Sequence, residues 1–188
     1  MNRIIVILDK SGSMSLTQSE TINGFNLFLS EQKDNNIDNE IKTKFTIIMF
    51  NDNVYLENYE NIMDVPNLDQ NRYSPCGLTS LYDAIGSSIE KYNNEFNNLC
   101  LIITDGEENT SKKWNKNDVF NNIELLKTQR AWSFIYYGAN QNSYHEANKI
   151  GINNSRNYLS TPQGTQSLFS QISLDIDDIC SQMNTARI

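Results

Sequence analysis

The chain has 188 residues, 38% of them apolar and 20% charged, which is enough for one sizeable core and too apolar for a disordered polymer. Its net charge of −8 makes nucleic-acid backbones and anionic lipid surfaces poor partners. Cys76, Cys100 and Cys180 are widely spaced and form no CxxC pair, which argues against a zinc knuckle or dithiol redox site and suits a reducing, cytoplasmic compartment.

The first apolar run, Ile4–Leu8, is too short for a signal-peptide core or a membrane span and reads as a strand. Ser15 with Gln18 makes a capping box, opening a helix on which Ile22, Phe25 and Leu29 share a face. Phe45–Phe50 is the second strand. The turn-prone Asn51-Asp52-Asn53 then leads into an alternating run, Val54 to Tyr59, which predicts a hairpin and an antiparallel edge strand. The polar stretch from Glu60 to Gly77, punctuated by Pro66 and Pro75, reads as a loop. Ser80 and Asp83 give a second capping box before Ala84, Ile85 and Ile89. Leu99–Thr104 is the third strand, with Cys100 as plain core. Asn117 caps a helix carrying Phe120, Ile123, Leu125 and Leu126.

Trp132–Tyr137 is the fourth such run, and Trp132 and Tyr136 are core residues. A short helix is predicted from Ser143 to Ile150, stopped by Gly151, and a short strand near Tyr158 and Leu159. The last helix runs from about Thr165 to Thr185. Its Phe169, Ile172, Ile176, Ile179 and Met183 step by three and four, the pattern of a face packed on a sheet. Continuous apolar strands alternating with helices predict one doubly wound α/β domain over residues 1–188. Its sheet is mostly parallel, with one antiparallel edge strand and helices on both faces.

In such sheets, ligands bind beyond the carboxyl ends of the strands, where the strand order reverses. The first strand is followed by Asp9-Lys10-Ser11-Gly12-Ser13-Met14-Ser15, and the third by Asp105-Gly106-Glu107-Glu108-Asn109. Cys76-Gly77-Leu78-Thr79-Ser80 precedes the second helix. Three loops thus offer carboxylates and hydroxyls, with no imidazole or thiolate pair. These hard oxygens suit Mg²⁺, with Mn²⁺ as the other candidate. Gly12 and Gly77 would let the backbone bend close to the ion. Ser80 can cap the second helix and so leave Thr79 for the cation.

The stretch DKSGSMS after an apolar strand, with GLTSLYDAIG and LCLIITDGEEN in the same order, resembles the von Willebrand factor type A domain family. The likeness covers nearly the whole chain and is to the short stand-alone bacterial or phage members. It implies an intact metal-ion-dependent adhesion site at Asp9, Ser11, Ser13, Thr79 and Asp105. It also implies a non-enzymatic module whose Mg²⁺ binds an acidic residue of a partner protein. Cys76 departs from the small or basic residues common at its place in the family.

Two other classes compete. A Mg²⁺-dependent phosphotransfer enzyme also places an Asp at the end of a first strand. Its phosphatase form wants a second Asp where Ser11 stands, and a Lys that is missing before Asp105. A structural or virion assembly component could use the same fold through its outer faces. Other residues get quieter readings. Glu107 and Glu108 are solvated loop acids that could reach the site's outer shell. Lys10 points away, His145 is a surface residue, and Asn140 could line the rim.

Overall fold

The computed structural model describes residues 1–38, 42–139 and 143–185, with side chains through residue 181. The four apolar runs are the four inner strands of a six-stranded sheet: β1 (Arg3–Asp9), β2 (Lys44–Phe50), β4 (Asn98–Thr104) and β5 (Ser133–Ala139). The edges are β3 (Val54–Tyr59) and β6 (Ser155–Tyr158), giving the order β3-β2-β1-β4-β5-β6. Only the β2–β3 pair is antiparallel, as the Asn51-Asp52-Asn53 turn predicts. All seven residues of β1 and of β4 are buried, because side chains on both sides of these strands meet helices.

Alternate residues sort the core into two layers. Ile4, Val6, Leu8, Ile47, Leu101 and Ile135 pack with α1 (Gln18–Asp38) and α5 (Pro162–Thr185). Ile5, Ile7, Ile48, Ile102 and Tyr136 pack with α2 (Leu81–Tyr92), α3 (Lys116–Arg130) and α4 (Ser143–Lys149). The α5 seam is as predicted at Phe169, Ile172 and Ile176, which are buried, and Ile179, which is partly so. Met183 lies outside the residues whose side chains are described. Among the described residues no helix is long and apolar enough to cross a membrane.

The structure corrects three local expectations. Ser15 and Gln18 form no capping box, because a 3-10 helix (Gly12–Thr17) precedes α1. There the Ser15 hydroxyl donates to the Gly12 carbonyl, and the Gln18 amide donates to the Tyr73 carbonyl. Asn115, not Asn117, caps α3, accepting the N–H groups of Asn117 and Asp118. The stretch from Glu60 to Gly77 is more than a polar loop. Its Ile62, Val65, Leu68 and Tyr73 are buried in the α1 layer, so four isolated apolar side chains are enough to fasten it.

At the amino end of β1, Arg3 is 1% exposed and holds that end of the sheet together. Its guanidinium donates to both Glu95 oxygens at 3.0 and 3.1 Å and to Thr46 Oγ1 at 3.2 Å, and lies 4.2 Å from the Tyr92 ring centre. Burial pushes the Glu95 carboxyl up, but the Arg3 hydrogen bonds and charge outweigh it and hold it below its ordinary value. Truncating one member of such a network strands the other charge. Arg3→Leu is therefore expected to cost about 3 kcal/mol in urea unfolding. An unchanged midpoint would show that the network contributes nothing net.

Candidate metal centre

The order of the sheet reverses between β1 and β4, and the crevice beyond their carboxyl ends receives the predicted loops. Leu8 pairs with Ile103, so Asp9 and Thr104 leave the sheet side by side. Asp9 is fully buried. Its Oδ1 accepts the Ser11 N–H at 2.7 Å, and its Oδ2 accepts the Thr104 hydroxyl at 2.6 Å. The buried Tyr73 hydroxyl donates to the Asp9 carbonyl at 2.7 Å. Side chain and backbone of Asp9 are thus both fixed.

The next residues bring the second carboxylate in. Ser11 Oγ lies 3.1 Å from Ser13 Oγ, and Ser13 Oγ donates to Asp105 Oδ1 at 2.5 Å. Ser160, just beyond β6, also bonds the Asp105 carboxyl. Thr79 is held through its backbone: its N–H donates to Asn109 Oδ1 and its carbonyl accepts the Asn109 N–H, both at 3.0 Å. Among the described residues its hydroxyl has no hydrogen-bond partner. A Cβ on Gly106 would lie 3.1 Å from Thr79 Oγ1 and 3.9 Å from Asp9 Oδ2, so both oxygens face one small space. Asp9, Ser11, Ser13, Thr79 and Asp105, read from three separate loops, therefore gather at one crevice.

The two glycines contribute differently to the loops. Gly77 has φ +79, and a Cβ there would strike the Asp52 carboxylate. A Cβ on Gly12 would meet only the Gly77 backbone, its carbonyl oxygen at an ordinary 3.4 Å and its nitrogen at 3.9 Å. What matters at Gly12 is its N–H, which donates to that carbonyl at 3.0 Å and joins the first two loops.

Two acids read as simpler residues have fixed jobs. Asp83 caps nothing at its own helix start; its carboxylate accepts the N–H groups of Lys112, Lys113 and Trp114. Glu108 is no freely solvated acid: it accepts the N–H groups of Tyr82, Thr110 and Ser111 and the Ser111 hydroxyl. Together they tie the loop after Asp105 to α2. Ser80 begins α2 without a side-chain cap, because its hydroxyl donates to the Asn51 carbonyl. Lys10 does point away, lying 5.0 Å from the Tyr55 ring centre. His145 is exposed, and so are Glu107 and Cys76, whose sulfur accepts from the Asn51 amide at 3.4 Å. Asn140 lies outside the described residues.

Sequence reasoning missed Thr104, Tyr73 and Asn109, the residues that orient Asp9 and Thr79. The only advance signal was a hydroxyl ending the apolar run before Asp105. Nothing in the sequence marked Tyr73.

The electrostatics are those of a site short of positive charge. Burial pushes the Asp9 carboxyl up to about 6; the Thr104 and Ser11 hydrogen bonds oppose this, and the Asp105 charge adds to it. Burial also raises Asp105, against the Ser13 and Ser160 hydrogen bonds. A desolvated carboxylate pair with three hydroxyls fits a hard divalent cation, which would relieve the repulsion. Among the described residues no group of three or more His, Cys, Asp or Glu converges, so the crevice offers two carboxylates and hydroxyls.

A sequence model described as the von Willebrand factor type A domain matches residues 4–172. The chain belongs to that family. Von Willebrand factor type A domains are metal-dependent adhesion and protein-interaction modules. Proximal thread matrix protein 1 from the mussel byssus, in a structure with a zinc-occupied adhesion site, is similar with a TM-score of 0.64. The two are 16% identical over 92% of this chain and 47% of that one. The domain of the type V pilus tip protein Mfa5 from Porphyromonas gingivalis gives 0.63 at 8% identity, covering 94% and 95%. A von Willebrand factor type A protein from Catenulispora acidiphila gives 0.56 at 12% identity, covering 92% of this chain. This chain spans only 42% of the Catenulispora chain, so the likeness is to part of a longer molecule. Identities this low speak for the fold alone. Comparison with curated protein sequences finds no match.

Two outcomes test the electrostatics of the metal-free protein. With a folded-state carboxyl near 6 against an ordinary 3.8, Asp9 keeps its proton in the native state while the unfolded chain loses it. Wild type therefore loses stability as pH rises from about 4 to about 6 and no further above that. Asp9→Asn is expected to be neutral at pH 4 and stabilising by about 3 kcal/mol at pH 7, read by urea unfolding in EDTA. Thr104→Val removes a donor to the charged form, so the Asp9 carboxyl titration followed by ¹³C NMR is expected to move upward. An unmoved titration would mean that Thr104 does not tune Asp9.

Proposed function

We propose that this chain is a cation-dependent protein-binding module in which Asp9, Ser11, Ser13, Thr79 and Asp105 hold one divalent ion. The observation that carries the reading is the convergence of two desolvated carboxylates and the Thr79 hydroxyl at the β1/β4 switch point. Mg²⁺ is the first choice, and Mn²⁺ the second, because every donor is a hard oxygen. When bound, the ion offers a Lewis-acidic position to an acidic side chain of a partner protein. The chain's own residues orient that position. Thr104, the Ser11 N–H and Tyr73 fix Asp9, Asn109 fixes the Thr79 loop, and Ser13 and Ser160 fix Asp105.

Residues 1–188 act as one such domain in this reading, and the module is not an enzyme. Among the described residues none at the crevice is set up as a nucleophile activated by a base: the serine hydroxyls bond each other and Asp105, and His145 belongs to the exposed side of α4. The short bacterial or phage type is part of this reading and rests on the motif resemblance of DKSGSMS, GLTSLYDAIG and LCLIITDGEEN. The reducing, cytoplasmic compartment rests on the free cysteines, Cys100 being deep in the core.

The test is calorimetric titration of Mg²⁺, with Mn²⁺ as a second arm, into EDTA-stripped wild type and Asp9→Ala. One saturable site in wild type and none in the variant is expected. Equal binding by both would place the ion elsewhere and sink the assignment. Wild-type affinity should weaken as pH falls through about 6, where Asp9 takes a proton.

A further inference from the structure

One hydroxyl buried beside the crevice has no hydrogen-bond partner among the described residues. It belongs to Tyr158, the last residue of β6, which is only 9% exposed. A buried hydroxyl left unsatisfied destabilises a fold, and phenylalanine would fill the same space without that penalty. The strand registers place this residue at the carboxyl end of the sheet. Thr104 pairs with Gly138, and Gly138 with Asn157. Asp105, Ala139 and Tyr158 each follow that row by one residue. Ile103, Ala139 and Tyr158 all belong to the α1/α5 layer, and Asp105 is the next position after Ile103 on that face. At that level the strand between Asp105 and Tyr158 contributes only the methyl group of Ala139. Ser160, two residues after Tyr158, bonds the Asp105 carboxyl, so the chain leaving β6 turns back to the site.

The electrostatics agree with this placement. Burial raises the Tyr158 phenol, and the charges of Asp105 and then Asp9 raise it further. Tyr73 reaches Asp9 from the same layer, but its hydroxyl is already bonded to the Asp9 carbonyl at 2.7 Å. Mg²⁺ keeps several waters when it binds protein oxygens, and side chains that bond the outer part of such a centre tune its affinity. We propose that Tyr158 is a further positioning residue of the metal centre, whose hydroxyl hydrogen-bonds the hydration shell of the bound cation on the Asp105 side. This rests on the cation-dependent reading above and adds a residue to it. The unsatisfied hydroxyl is then a weakness of the metal-free protein that cation binding relieves.

Wild type and Tyr158→Phe, both stripped with EDTA, are titrated with Mg²⁺ by calorimetry and unfolded with urea in EDTA. Tyr158→Phe is expected to bind Mg²⁺ at least about tenfold more weakly than wild type. Its urea midpoint in EDTA is expected to equal or exceed that of wild type, because only an unsatisfied hydroxyl has gone. A merely structural tyrosine would not separate those two readouts. Unchanged Mg²⁺ affinity in the variant would overturn the inference and leave the metal reading intact. A weaker affinity accompanied by a lower midpoint in EDTA would trace the effect to lost packing and overturn it as well. Absence of Mg²⁺ binding by wild type would overturn the metal reading itself, and the inference with it.

Discussion

Everything at the carboxyl end of this sheet depends on two acids that would repel each other if nothing came between them. Asp9 is fully buried, and its carboxyl is raised to about 6, with Asp105 adding to the shift. The fold tolerates this because hydrogen bonds answer part of the desolvation: Thr104 and the Ser11 N–H at Asp9, Ser13 and Ser160 at Asp105. What they leave unanswered is a demand for positive charge. A chain that selected only for stability would have no reason to keep an acid at the end of its central strand.

The surrounding structure is arranged to hold those oxygens still. Asp83 and Glu108 spend their carboxylates on loop N–H groups, clamping the segment after β4 onto α2. Tyr73 reaches from the β3–α2 connection to the Asp9 carbonyl. The Gly12 N–H and Gly77 carbonyl join the first and second loops. A site whose loops are tied to one another and to a rigid sheet loses little entropy on taking up a ligand, which is how a small set of oxygens can be selective. The far end of the sheet is stabilised by a different device, the buried Arg3–Glu95 pair, so the stability of the β1/β2/β4 core does not rest on the crevice alone.

Much of this was legible in advance, because strand ends are legible. Two of the four apolar runs, Ile4–Leu8 and Leu99–Thr104, stop at an acid, Asp9 and Asp105. The edge strand Val54–Tyr59 was readable from its alternation and its turn. Errors clustered where side chains had more than one possible partner. Ser15, Ser80 and Asp83 each matched a capping pattern, but the 3-10 helix, the Asn51 carbonyl and the Lys112–Trp114 amides offered closer partners. For Ser80 and Asp83 the partners arrive from about thirty residues away, which local pattern rules cannot weigh.

The sequence by itself determined the alternation of strand and helix, the antiparallel edge, and that three oxygen-rich loops follow strand ends or precede a helix; the choice of five residues within them came from the family resemblance. These are consequences of periodicity and of the short reach of turns, so they need no knowledge of the rest of the chain. Only the tertiary structure decided that Thr104, Tyr73 and Asn109 orient the site and that Glu108 and Asp83 are clamps. Each of those facts is a contact between elements far apart in the chain. None exists until the sheet has brought its strand ends together.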